Sequence, residues 1–296
     1  MTFAGLSQPA RGHLAMLAFS ALVAGSFSLG VLAAPQIDPG ALSVVRFVLA
    51  GVLVGAAALA TTGIPRSAFA APWRYLVLGG LLAAYFVLMF EGLKTAPAVS
   101  AAAVFTLTPV LAAGFGWLFL WQRLTGRMAL ALAIGGAGAL WVIFRADLRA
   151  LMALEIGRGE VIYFVGCVAH AAYAPLVRKL NRGEPAVVFT FGMMVAGTLL
   201  LAIYAWPAVL ATDWVELPGI VWVTLVYVAV AASAMTFVLL QYATLRLPAA
   251  KVMAYTYLVP SWVAVWEFAL NGAVPPGLVL VGVALTVLAL GLLLKE

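Results

Sequence analysis

Three stretches of this chain, 95 to 122, 186 to 212 and 217 to 245, contain no Asp, Glu, Lys or Arg. Each exceeds the roughly 20 apolar residues a helix needs to cross a hydrocarbon layer about 30 Å thick. In that layer every backbone polar group has to be satisfied within the protein, so an apolar run of this length is read as a helix. Reading between charged residues gives ten such segments, near 14–34, 40–62, 74–94, 97–121, 127–145, 160–180, 186–206, 218–244, 249–270 and 276–295. The whole chain is 66% hydrophobic and 9% charged, against about 45–50% and about 25% in ordinary soluble domains. The connections are short, and the longest polar one, 145–160, still holds an apolar run at 148–154. The implied fold class is an all-α integral membrane protein of about ten transmembrane helices.

The first segment carries Arg11 but no small-residue cleavage site, and nine more segments come after it, so it is read as a retained helix. The single cysteine, Cys167, excludes an internal disulfide and any site built from several thiolates. The net charge of +6 resolves once the cations are sorted by side. With the N-terminus inside, inner segments hold Arg11, Arg66, Arg74, Arg123, Arg127, Arg178, Lys179, Arg182, Arg246, Lys251 and Lys295. Outer segments hold Lys94, Arg145, Arg149 and Arg158. An excess of Lys and Arg in short cytoplasmic loops sets orientation. Both termini are therefore expected in the cytoplasm, and the positive balance is a topology signal; no nucleic-acid partner is expected, only the lipid bilayer and a small solute.

Shifting the chain by 151 residues aligns Pro97 with Pro248 and Pro109 with Pro260 without a gap, and Phe86 with Phe237. The chain thus reads as two related halves of five helices. Because five is odd, the second half enters the membrane from the opposite side, and the repeat is inverted. Inverted repeats are a recurrent construction of secondary transporters, because two similar halves of opposite orientation support two states that open to opposite sides. Pro97 and Pro248 fall at helix starts, where the missing N–H costs little. Pro109 and Pro260 fall a third to half way along the fourth and ninth segments, where each is expected to free a carbonyl and kink its helix. All four prolines are hinge candidates; at a single position a static bend needed for packing is the plainer explanation, but recurrence in both halves weighs equally for a hinge.

Arg46-Phe47, Glu91-Gly92-Leu93, Ala96-Pro97, Ser100-Ala101 and Leu107-Thr108-Pro109-Val110 in the first half, with Gln241-Tyr242-Ala243, Pro248-Ala249 and Tyr257-Leu258-Val259-Pro260 in the second, resemble one family. It is the drug/metabolite transporter superfamily, in its ten-helix form with two tandem EamA-like repeats, here 1–150 and 151–296. In that family an acid often stands thirteen positions beyond the fourth- and ninth-helix prolines; this chain has Gln122 and Ala273 there. The resemblance implies an inner-membrane exporter of amino acids, related metabolites or toxic organic compounds, without ATP hydrolysis and without a cofactor, closest in appearance to the aromatic amino-acid exporters. It further implies a pathway among helices three, four, eight and nine.

Charged groups within a membrane are kept where they find a partner, water or a task. Arg46 reads either as a ligand for a substrate carboxylate or as a paired structural cation. Glu91 and Lys94, three apart, read as a surface ion pair. On the ninth helix, at 100° per residue, Lys251, Tyr255, Trp262 and Trp266 fall within about 60° of arc. Such a stripe would suit an aromatic amino acid, with the cation on its carboxylate and the rings stacking its side chain; packing against helices or lipid is the alternative. Tyr163, Cys167 and His170 share a face of the sixth helix, and Tyr85 and Tyr242 complete the substrate-binding candidates. No catalytic set and no metal-ligand spacing is visible. The leading function is a secondary exporter of amino acids, aromatic or other, by alternating access across the inner membrane. The competing readings are a multidrug or organic-cation exporter and a membrane-embedded lipid-modifying enzyme; the enzyme would need clustered acids, histidines or a metal site near one interface.

Overall fold

The structure, a computed structural model, describes residues 7–144, 146–153, 156–272, 274 and 276–294. Arg145, Ala273 and Lys295 lie outside them, as do both chain ends. The described residues form α1 (Gln8–Ala33), α2 (Pro39–Thr61), α3 (Trp73–Leu93), α4 (Ala98–Phe105), α5 (Thr108–Leu120), α6 (Gly126–Ile143), α7 (Leu148–Ala153), α8 (Arg158–Leu180), α9 (Ala186–Ala211), α10 (Gly219–Ala229), α11 (Thr236–Thr244), α12 (Ala249–Ala254), α13 (Val259–Asn271) and α14 (Gly277–Leu294). A short 3₁₀ turn, Arg66–Phe69, precedes α3. Among the described residues, nine helical stretches are long and apolar enough to cross a membrane, counting α4 with α5 and α10 with α11. The tenth expected segment is helical too but interrupted, with the 3₁₀ turn Tyr255–Leu258 between α12 and α13.

Chain chemistry accounts for these starts and breaks. Ser7, Asp38 and Thr125 cap α1, α2 and α6 by accepting backbone N–H groups, which would otherwise lack partners at a helix start. Pro97 and Pro248 are the extended residues that open α4 and α12. The kinks expected at Pro109 and Pro260 within continuous helices are not what forms. Each proline stands in the first turn of a new helix, α5 or α13. A proline ring clashes with the carbonyl four residues back and offers no N–H, so the chain closes one helix and starts another. Hydroxyls cover carbonyls around the first break: Thr106 Oγ1 donates to Ala103 O at 2.6 Å and Thr108 Oγ1 to Phe105 O at 2.7 Å. At the second, Thr286 of α14 donates to Tyr257 O at 2.9 Å.

The helix contacts obey an exchange of the two halves. α3 packs on α8 as α10 and α11 pack on α1; α5 packs on α8 as α13 packs on α1; α2 packs on α9, its own counterpart, and α6 on α14. The two broken spans pair as well, α4 against α13 and α5 against α12. Thr108 and Thr256 hydroxyls meet at 3.2 Å where they cross. A two-fold exchange of halves with five spans each places the second half upside down relative to the first. Close backbone approach holds α3 in this frame. A Cβ at Gly79 would stand 2.6 Å from Gly197 N of α9, and one at Gly92 would stand 2.6 Å from Gly159 O of α8.

Candidate functional site

The sequence places Tyr163, Cys167 and His170 on one face of α8, and the structure buries all three together. Their face meets Tyr85 of α3, Phe105 of α4 and Phe27 of α1, and Phe86 packs behind Tyr85. The hydroxyls of Tyr85 and Tyr163 share a hydrogen bond of 2.9 Å. The Tyr85 ring lies 4.5 Å from the His170 ring, and Phe105 lies 5.2 Å from His170, edge to face. Towards the other end of α8, Tyr173 donates to Met193 Sδ at 3.1 Å and accepts from Gln241 Nε2 of α11 at 2.9 Å. His170 Nδ1 and Gln241 Oε1 have no hydrogen-bond partner among the described residues.

Arg46 closes the cluster from α2 and is 0% exposed. Its guanidinium lies 3.6 Å over the Phe86 ring. It faces Val230–Met235, a π-helical segment between α10 and α11. A π turn shifts backbone hydrogen bonds out of α register and occurs often at functional positions. Arg46 NH2 donates to Ala232 O at 2.8 Å, and its Nε donates to Ser233 Oγ at 2.5 Å. Ser233 in turn donates to Val228 O at 2.6 Å. The remaining guanidinium nitrogen, NH1, has no partner among the described residues, and no carboxylate among them pairs with Arg46.

Two polar layers flank the cluster. At the end expected to face outward, buried Glu160 of α8 accepts from Ser100 of α4 at 2.8 Å. At the end expected to face the cytoplasm, a cavity of about 420 Å³ lies between the halves, lined by Gln122, Arg123, Arg178, Pro248 and Lys251 among others. At the same end of α8, Arg74 NH2 meets Glu184 Oε1 at 2.7 Å, with both side chains buried. Arg74 also donates to the carbonyls of Leu180, Ala70 and Ala71. Burial acts to raise the Glu184 carboxyl, but hydrogen bonds from Arg74 and the Arg182 N–H outweigh it and hold the group below its ordinary value.

The ninth-segment stripe does not form one cavity wall. Lys251 lines the inner cavity, while Tyr255 and Trp262 both face α1: Tyr255 pairs with His13 Nδ1 at 3.1 Å and Trp262 Nε1 donates to Ser20 at 3.3 Å. Trp266 packs edge-on against Tyr227. Tyr242 is also apart from the cluster: Arg246 lies 3.4 Å over its ring, and it lines an apolar groove with Leu14 and Val238. Glu91 and Lys94 form the expected surface pair at 2.6 Å. The sequence reading missed the Tyr173–Gln241 link, the buried pair Arg74–Glu184 and the bond between Ser100 and Glu160. Among the described residues no three His, Cys, Asp or Glu side chains are placed to hold a metal.

A family pattern described as the EamA-like transporter family matches this chain twice, over residues 10–144 and 157–295. The chain belongs to the EamA-like transporter family. As a member of it, with its apolar spans and internal repeat, the protein is a multi-pass membrane transporter. It is 25% identical over 265 residues to an uncharacterized transporter, YyaM, of Bacillus subtilis, covering 88% of this chain and 86% of that one. It is 31% identical over 211 residues to a probable terminal-alkyne amino-acid exporter of Streptantibioticus cattleyicolor, covering 69% of this chain and 66% of that protein. A solved crystal structure with 24% identity superposes over 96% of both chains with a TM-score of 0.71, so the fold is shared.

Proposed function

We propose that this EamA-family transporter exports amino acids, aromatic ones included, across the inner membrane by alternating access. Its halves, 1–150 and 151–296, would rock about the crossed, interrupted spans. The observation that carries this reading is the meeting of those interruptions at Thr108 and Thr256. Broken helices paired across inverted halves put bendable backbone beside a central site, and the prolines Pro97, Pro109, Pro248 and Pro260 set where the chain can bend. Tyr85, Tyr163 and His170 supply aromatic faces and polar edges around that site, and Lys251 stands at the cytoplasmic mouth. The name of the Streptantibioticus relative supports an amino-acid substrate. Cations at the mouth and in the centre disfavour an organic-cation substrate on charge grounds.

Purified protein in liposomes preloaded with unlabelled amino acids should accelerate counterflow of labelled phenylalanine or a similarly sized amino acid. Movement of hydrophobic cations but of no amino acid would overturn the reading. The matching topology has both termini and Arg178–Arg182 in the cytoplasm and Asp213–Glu216 outside. Cysteines introduced at 181 and 213 should therefore react with membrane-impermeant reagent from outside at 213 alone, and labelling at 181 alone would invert the arrangement.

A further inference from the structure

We infer that Arg46 is the carboxylate-binding group of the central site, with the unpartnered Gln241 Oε1 and, in its Nε2–H tautomer, His170 Nδ1 as acceptors for the ammonium of the same solute. The inference rests on the transport reading above and narrows its substrate to molecules carrying both an acid and an amine. Arg46 is wholly buried in the middle of a membrane bundle, an expensive place for a cation. Its Nε and NH2 are held by Ser233 and Ala232 O of the π segment, which fixes the plane of the guanidinium. NH1 is left over. No acid of the described residues neutralises the group, and a buried donor without a partner points to a ligand or a task. A guanidinium so fixed presents a donor geometry that matches a carboxylate better than a point charge does.

The acceptors sit on the same connected surface. Arg46 stacks on Phe86, Phe86 lies 4.6 Å from Tyr85 and Tyr85 lies 4.5 Å from His170. His170 lies 6.4 Å from Tyr173, which receives the Gln241 amide N–H. That amide is oriented by Tyr173, whose own hydroxyl proton goes to Met193, so Gln241 Oε1 is the end left without a partner. An unpaired donor on a cation, with unpaired polar atoms of His170 and Gln241 along the same run of rings, offers groups to both the acid and the amine of one solute. The cavity lined by Arg123, Arg178 and Lys251 is a second cationic layer on the route to it.

The test is competition against counterflow of labelled phenylalanine by three unlabelled compounds: phenylalanine, its carboxamide and its deaminated acid. The parent should prefer the free amino acid over the carboxamide by about tenfold or more, the range of a hydrogen bond to a charged group. In Arg46→Gln that ratio should fall to near one, and in Arg46→Lys to an intermediate value. In Gln241→Leu the preference for phenylalanine over the deaminated acid should fall while the acid-to-amide ratio holds. Ratios within one variant do not depend on how much protein folds. Should Arg46→Gln fail to fold, the parent still decides: its unfolding temperature in detergent must rise more with phenylalanine than with the carboxamide, and equal rises overturn the assignment. An Arg46→Gln protein that transports with the parent's acid-to-amide ratio overturns it too. Absence of any amino-acid counterflow by the parent would instead sink the transport reading on which it rests.

Discussion

Replacing Glu184 by Gln removes the acid partner of Arg74, a guanidinium whose side chain is 1% exposed. Breaking a buried pair from one side costs about 3–5 kcal/mol, because the remaining charge is stranded. Here Arg74 keeps the carbonyls of Leu180 at 2.7 Å, Ala70 at 3.0 Å and Ala71 at 3.3 Å. That places the expected cost near the low end, at about 3 kcal/mol. With roughly 2–4 °C per kcal/mol for chains of about 150–250 residues, unfolding should come roughly 6–12 °C earlier. The assay is thermal unfolding in detergent, followed by tryptophan fluorescence at pH 7. The pH dependence gives a second reading. Glu184 is held below its ordinary value of 4.5, so its contribution is fully present above that value and is lost as pH falls through the lower folded one. The gap between parent and Glu184→Gln should therefore be constant from pH 7 to about 5 and narrow below 4.5. The double variant with Arg74→Met should lose less than the two single losses together. A Glu184→Gln protein that unfolds within about 2 °C of the parent, or a gap that does not narrow at all as pH falls below 4.5, would refute the reasoning.

Two further outcomes separate the central cluster from its surroundings. Tyr85→Phe removes the bond between the Tyr85 and Tyr163 hydroxyls and should lower transport per folded molecule by about fivefold or more, whereas Trp262→Ala, on the α1 side, should change it by less than about twofold; roughly 1 kcal/mol per lost buried hydrogen bond sets the scale. Gly79→Ala drives a Cβ into the backbone of α9 and should cost about 1–3 kcal/mol in unfolding. Gly114→Ala, with open space around it, should be neutral or stabilising by up to about 1 kcal/mol.

The spans were legible because a membrane leaves a long apolar segment one stable form, and the repeat because prolines at fixed spacing survive where Ala, Leu and Val matches are uninformative. Periodicity also found the α8 face of Tyr163, Cys167 and His170, since that helix is regular from Arg158 to Leu180. On the ninth segment periodicity put Tyr255 and Trp262 on one face, and both meet α1, at His13 and Ser20. What that face packs against was not legible, because each partner lies 242 positions away in the sequence. The π segment at Val230–Met235 lies in an unbroken apolar run, with only Ser233 to mark it. Pairings such as Arg74 with Glu184 or Gln241 with Tyr173 join residues 110 and 68 positions apart. Neither could be read before the helices were packed; Arg74 and Glu184 look like loop charges in the sequence.

The central claim is a carrier whose halves rock about the crossed spans, and paired distance measurements test it most directly. Spin labels at Lys94 and Asn271 report the outer end, and labels at Arg127 and Lys179 the inner end, in a Cys167→Ser background that retains counterflow. Adding a transported amino acid to reconstituted protein should move the two distance distributions in opposite directions, one narrowing as the other widens. Transport that proceeds while both distributions stay fixed, or while both widen together, would contradict the account.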